Sequence, residues 1–345
     1  MREEQHELYN QDQSMHDKNP IGEEKVETPK MISVVMSAYN EPEGFLRESI
    51  ESILNQTYPH FEFIIIQDKP DNEAIERVVN EYAAKDSRIR FYKNEKNIGL
   101  AMSLNRGIEL ARYDIIARMD ADDIALPERF EKEIAYLEAH PKVRLVSTNW
   151  MMIDENGNQV RPARRLPETF EEAKKILDLE NPILHPSVLV FKKDLEDIGG
   201  YRKFPAAQDY ELWLRYVSKE WEFGFIHECL FKYRISSSNI SVQNCLKQWV
   251  CRKYAKKLLR ERQKKGVDSY SEEALNEVMR KAGCFDKRST ERFSKGRLLI
   301  FDGGTALRNH HYWRTTINVL RALPLHKEMP SFIVYVFKWK LIEGF

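Results

Sequence analysis

Three carboxylates in four residues, Asp120, Asp122 and Asp123, follow directly on the apolar stretch YDIIARM. Carboxylates that close repel one another unless a cation sits among them. Oxygen-only ligands select Mg²⁺ or Mn²⁺, which commonly take one or two carboxylates and complete their shell with substrate phosphates. Asp120 and Asp122 are therefore candidate metal ligands. An acidic helix cap is the plainer alternative, and the place of the run at the end of a strand favours the metal. Ser37-Ala38-Tyr39-Asn40-Glu41 combines small polar groups with an aromatic that could shelve a nucleobase, or is an ordinary strand-to-helix loop. Asp68 could accept from a base N–H or cap a helix. Asn97-Ile98-Gly99 could bring backbone up to a phosphate, although turns use such residues constantly. Asp209, close after Gly199-Gly200, opens a helical pattern, where it could line a cleft or merely favour the helix N-terminus.

These groups need elements to position them. MISVVMS, FEFIIIQ, IRFYKN, YDIIARM and VRLVSTNW are near-continuous apolar runs, as expected of strands buried on both faces of a parallel sheet. Between them, apolar residues recur at helical spacing: Leu46, Ile50 and Ile53; Ile75, Val78 and Val79; Leu104 and Ile108; Phe130, Ile134 and Leu137. Alternating strands and helices predict right-handed βαβ units. Ligands of such sheets bind at the strands' carboxyl ends, where Ser37–Glu41, Gln67–Asp71, Asn94–Gly99 and Asp120–Asp123 all fall. Beyond Trp150 the pattern predicts a hairpin turning at Asn156-Gly157, a helix over TFEEAKKILDL, a strand over HPSVLVFKK and a helix over QDYELWLRYVSK. From about Gln243 onward the chain reads as helical and basic.

Lys+Arg and Asp+Glu both total 54 in 345 residues, so no global field recruits nucleic acid. The four cysteines form no CxxC pair, which argues against a disulfide framework or structural zinc and suits a reducing cytoplasm. Residues 1–30 are polar and acidic, with no apolar core of a signal peptide, and are expected to form a disordered tail. No apolar run approaches the roughly 20 residues that span a bilayer.

In order and context these segments resemble the family 2 glycosyltransferases of GT-A fold. The matching residues are ISVVMSAYNE (32–41), QTYPHFEFIIIQD (56–68), NIGLAMSLNRGIELA (97–111), ARMDADDIALPERF (117–130), HPSVLVFKK (185–193), GGY (199–201), QDYELWLR (208–215) and YRISSSN (233–239). The resemblance implies a Rossmann-like, mostly parallel α/β sheet flanked by helices over residues 31–242, with a helical C-terminal region over 243–345. It implies an inverting transfer of one sugar from a nucleoside-diphosphate sugar, UDP-linked in this reading, to a saccharide or lipid-linked saccharide. Ser37, Tyr39, Glu41, Asp68 and Asn97 would hold the donor. Asp120 and Asp122 would serve the ribose, diphosphate and Mn²⁺ or Mg²⁺, Arg234 would sit near the diphosphate, and Asp209 would be the general base.

Two departures from the family pattern stand out. Gln67-Asp68-Lys69-Pro70 replaces the usual Asp-Asp-Gly-Ser, and Gln208 replaces the Glu that normally precedes the base. Losing that negative neighbour disfavours protonation of Asp209. The processive Gln-x-x-Arg-Trp segment is missing, which favours single-sugar transfer. The alternatives are a degenerate nucleotide-sugar-binding scaffold, disfavoured by the joint presence of Asp120, Asp122 and Asp209, and a sugar nucleotidyltransferase, which would want a Gly-rich basic loop after the first strand. Residues 247–265 set nine Lys/Arg beside Trp249, Val250, Leu258 and Leu259, and SFIVYVFKWKLIEGF closes the chain. Such a region either meets an anionic membrane at the inner face of the cell, or packs on the catalytic domain or a second copy.

Overall fold

In the computed structural model, which describes residues 29–163, 165–235 and 244–342, the apolar runs form the expected strands. β1 (Ile32–Ala38) and β2 (Phe61–Gln67) are buried at every position, because both faces of the sheet are covered. β3 (Ile89–Lys93) and β4 (Ile115–Asp120) complete a parallel set in the order β3-β2-β1-β4. Three crossover helices connect them: α1 (Glu43–Leu54), α2 (Glu73–Ala83) and α3 (Leu100–Leu110). Pro42 sets the entry to α1, and Leu46, Ile50 and Ile53 bury its inner face. Gly107 lets α3 lie directly on β1, since a Cβ there would stand 2.4 Å from Val35 Cγ1.

The chain leaves β1 toward β2 on one side and returns to β4 on the other, so the β1/β4 crevice is the sheet's switch point. Ser37 and Asp120 are register partners there.

Beyond β4 come the two-residue β5 (Ile124–Ala125), α4 (Arg129–Ala139), β6 (Val143–Ile153) and β7 (Gln159–Arg161). The expected hairpin joins β6 to β7, with Gly157 at φ 81° in its turn. Next are α5 (Phe170–Leu177), β8 (Val188–Phe191), α6 (Lys192–Asp197), α7 (Gln208–Ser218) and β9 (Glu222–Arg234). β8 lies antiparallel between β4 and β6, and β9 runs parallel to β6. β9 is an element the sequence pattern did not predict. Its alternation breaks where the exposed His227 and Glu228 and the half-buried Cys229 interrupt it, beside register shifts against Thr148 and Asn149.

The C-terminal helices are α8 (Cys245–Lys265), α9 (Glu272–Ala282), α10 (Lys287–Arg308), α11 (Tyr312–Ala322) and α12 (Met329–Ile342). The basic stretch 247–265 is α8, and its apolar residues face inward. Trp249, Val250, Tyr254 and Leu258 are buried, and α8 packs on α7. Arg252 donates to Leu179 O at 2.7 Å and covers the Tyr210 ring. Arg262 joins Arg202 and Arg215 around the fully buried Glu211. Helix α8 is thus part of the packing behind α7. Residues from Met31 onward form one compact unit, and the tail expected over residues 1–30 lies almost wholly outside the described residues. So does Ser236–Asn239 of the YRISSSN segment. Among the described residues, no helix is long and apolar enough to cross a membrane.

Candidate active site

The acidic run sits where β4 ends, beside the switch point. One carboxylate oxygen from each of Asp120, Asp122 and Asp123 lies within 4.8 Å of the others. Asp123 is completely buried; its Oδ1 accepts from Arg234 N at 2.8 Å, while Oδ2 has no hydrogen-bond partner. Burial pushes Asp122 up to about 7, with the negative charges of Asp120 and Glu41 adding and Arg118 opposing. Burial raises Asp123 as well, helped by Asp122 and Asp120. A trio of hard oxygen ligands, of which Asp122 and Asp123 resist ionisation and one oxygen is orphaned, fits a small divalent cation.

The loop is held from behind. Ser49 on α1 donates to Asp120 O at 2.7 Å. Arg234, at the end of β9, is 2% exposed. Its Nε donates to Asp122 O at 2.8 Å, its Nη2 pairs with Glu48, and it lies over the Phe45 ring. Arg234 therefore enters the site as the clamp of the acidic loop.

On the β1 side, Ser37 is buried at the strand end and Tyr39 is 44% exposed. Tyr39 N donates to Glu41 Oε2 at 2.8 Å, folding this loop back on itself. Burial raises the Glu41 carboxyl, and nearby Asp120 adds to the shift. Asp68 follows directly on β2, and both of its oxygens are occupied. Oδ1 accepts from Asn94 Nδ2 (2.8 Å) and Ile98 N (2.9 Å), and Oδ2 from Gly99 N (2.9 Å). Asn97 Oδ1 also accepts from Gly99 N at 2.9 Å. Asp68 and Asn97 thus shape the 94–99 loop, which turns at Gly99 with φ 83°.

Asp209 stands in the first turn of α7, behind Ala207 at φ 55°. Its Oδ2 accepts from Asn181 Nδ2 at 2.8 Å. Burial raises its carboxyl, against the lowering effect of backbone N–H groups and the charges of Arg252 and Arg118. Gln208 removes one negative neighbour, yet desolvation still wins.

Two residues here escaped the sequence reading. Asn181 lies in a stretch with no legible pattern. Arg118 did carry a signal, a charge at an inward position of an apolar strand, two residues before Asp120. Its side chain is 3% exposed and pairs with Asp120, while Nε and Nη2 find no hydrogen-bond partner. Its charge acts on Asp122, Asp123 and Asp209 alike, and on His185 and Tyr201, which are linked to each other at 2.8 Å. The field of this one guanidinium thus reaches both the acidic trio and Asp209.

Comparison with known proteins gives this geometry a lineage. Residues 33–199 match the family described as glycosyl transferase family 2. An uncharacterized glycosyltransferase of Methanocaldococcus jannaschii is 42% identical over 218 residues, 63% of this chain and 75% of that protein. The chain belongs to glycosyl transferase family 2. The O-antigen biosynthesis glycosyltransferase WbnJ of Escherichia coli is 36% identical, with 65% of this chain and 87% of WbnJ aligned. The amylovoran biosynthesis glycosyltransferase AmsE of Erwinia amylovora is 34% identical over 61% of this chain and 79% of its own length. Among solved structures, a 1–349 fragment of S. aureus TarS in complex with UDP-GlcNAc has the same fold, with TM-score 0.53 at 16% identity over 78% of this chain and 80% of that one. For this family 2 glycosyltransferase the match to the family ends at residue 199, before Asp209 and Arg234. The placement of Arg234 against the acidic loop comes from the structure.

Proposed function

We propose that this glycosyltransferase moves a single sugar, with inversion, from a UDP-linked donor to a hydroxyl of a saccharide or lipid-linked saccharide in cytoplasmic assembly of a surface polysaccharide or glycolipid. The observation that carries the reading is the acidic trio at the β1/β4 switch point, and a separate, desolvated carboxyl, Asp209, that feels the same Arg118 charge supports it. Relatives named for O-antigen and amylovoran biosynthesis support the class of product, and the UDP-GlcNAc complex of TarS supports the class of donor.

In this reading Tyr39 stacks on the nucleobase beside Ser37 and Glu41. Asp68 and Asn97 hold the 94–99 backbone against the donor. Asp120 and Asp122, backed by Asp123, would hold Mn²⁺ or Mg²⁺, and Arg234 serves the diphosphate by fixing the loop that carries them. When bound, the ion neutralises charge on the departing diphosphate. Asp209 takes the acceptor proton as the acceptor oxygen bonds to the anomeric carbon and the bond from that carbon to phosphate oxygen breaks. Such base assistance is typically worth 10²–10⁴-fold. Asn181 orients the carboxyl, and one displacement inverts the anomeric centre.

The test is to incubate the protein with UDP-sugars and candidate acceptors, with Mn²⁺ or EDTA, and to read product configuration by NMR. Product of inverted configuration, formed only with the metal, supports the reading. Retained configuration, or equal turnover in EDTA, overturns it.

A further inference from the structure

Helix α11 is built inside out. The face it packs against α10 is small and polar: Thr315, Asn318 and Ala322 are the buried positions. Thr315 Oγ1 donates to Gly303 O at 2.9 Å, and Asn318 Nδ2 donates to Asp302 Oδ2 at 2.7 Å. Its outward face carries Trp313, 73% exposed, and Leu320, 61% exposed, one helix face apart by seven residues, with Tyr312 beside them. A soluble helix normally shows the opposite arrangement.

The feature extends to the neighbouring helices. Among the described residues, eight of the twelve large apolar side chains that are exposed fall between Leu298 and Phe337. The apolar surface is thus concentrated on α10, α11 and α12 rather than scattered as on ordinary surfaces. Charge is concentrated there too. Residues 287–342 contain eleven Lys/Arg and three Asp/Glu, an excess of eight in a chain whose total is zero. Arg321 and Lys338 are exposed beside the apolar positions.

We propose that the outer face of the α10–α11–α12 module docks on an anionic lipid surface. Trp313 and Leu320 enter the boundary between headgroups and acyl chains, and the surrounding Lys and Arg meet the headgroups. Trp and Tyr favour that depth, and basic residues are drawn to anionic leaflets. A second copy of the chain is the weaker occupant, because a two-fold contact would set this basic surface against itself. The surface differs from α8, whose aromatic and apolar residues are spent on Phe332, Tyr335 and α7.

The test uses the full chain in cosedimentation with vesicles of phosphatidylcholine, alone or mixed with phosphatidylglycerol, at low and high salt. The variant combines Trp313→Glu with Leu320→Glu; Val160→Glu, at an exposed apolar position on β7, is the control. Binding to the mixed vesicles that weakens with salt, falls at least tenfold in the double variant and persists in the control supports the proposal. Light scattering and donor hydrolysis are followed in parallel to verify the fold. No binding to anionic vesicles, unaltered binding by a folded double variant, or a dimer that the double variant dissociates overturns it. Vesicle binding needs neither donor nor metal, so either result leaves the catalytic reading to its own test.

Discussion

Replacing Asp122 by Asn should stabilise the metal-free protein and abolish its stabilisation by metal. A carboxyl moved from 3.8 to about 7 carries about 4 kcal/mol of unfavourable free energy when ionised in the folded state. That figure is a ceiling. The partly exposed loop can relax and solvent screens part of the repulsion, so about 1–2 kcal/mol is the expected gain at pH 8. For a chain of this size that corresponds to roughly 1–3 °C in melting temperature.

The sign follows from linkage. Unfolded Asp122 releases its proton near 4, folded Asp122 near 7, so the folded state holds the extra proton between those values. Stability contributed by that proton is complete below about pH 4, is lost progressively up to about pH 7 and is gone above it. The advantage of Asp122→Asn in EDTA should therefore open between pH 4 and 7 and level off beyond. Asp123 and Glu41, raised for related reasons, broaden the window. Saturating Mn²⁺ should then reverse the order, because a ligand at 100 times its Kd adds about 2.7 kcal/mol to the wild type alone. Differential scanning fluorimetry across pH, with EDTA or Mn²⁺, reads both effects. A variant less stable than wild type in EDTA at pH 8, or one equally stabilised by Mn²⁺, would refute the electrostatic account of the trio.

Asp209→Asn should leave donor affinity within a few-fold and lower turnover by about 10² or more; loss of donor binding in titration calorimetry would move Asp209 to the donor subsite. Because burial raises this carboxyl, the acidic limb of the kcat profile should rise with pH through a value above the ordinary carboxylate range, and the limb should vanish in the Asn variant. Asp68→Ala strips partners from the buried Asn94 amide and from Ile98 N and Gly99 N, so denaturant unfolding should show a loss of about 2–3 kcal/mol; unchanged stability with weakened UDP binding would instead make Asp68 a direct base ligand. Gly200→Ala asks a residue at φ 65° to carry a Cβ 2.6 Å from Asn105 Oδ1, the atom that accepts from Tyr201 N, and should cost about 1–3 kcal/mol in the same assay.

The acidic trio was legible because a doubly covered strand has no reason to be polar until it ends. Val34 to Ala38 and Ile115 to Met119 are buried almost without break, so the first unpaired polar residues after each run had to lie at the carboxyl edge. Arg118 breaks that rule, and no local pattern says what a lone charge inside a strand is for. Its pairing with Asp120, and the reach of its charge to Asp209, His185 and Tyr201 in distant segments, appear only in the fold. The same holds for Asp209. In sequence it is an acid opening a helix; what distinguishes it is its burial beside Asn181, and burial by distant segments leaves no mark on nearby residues. β9 was missed because its pleat is interrupted where it crosses β6, and Arg234 at its end was legible only through the family resemblance. The basic C-terminal third shows the limit from the other side. Composition revealed charge beside aromatics in both α8 and α10–α12, but only packing separates a helix that turns its Trp inward from one that turns it out. A periodicity of apolar residues marks a face, and the fold decides whether that face has already met its partner.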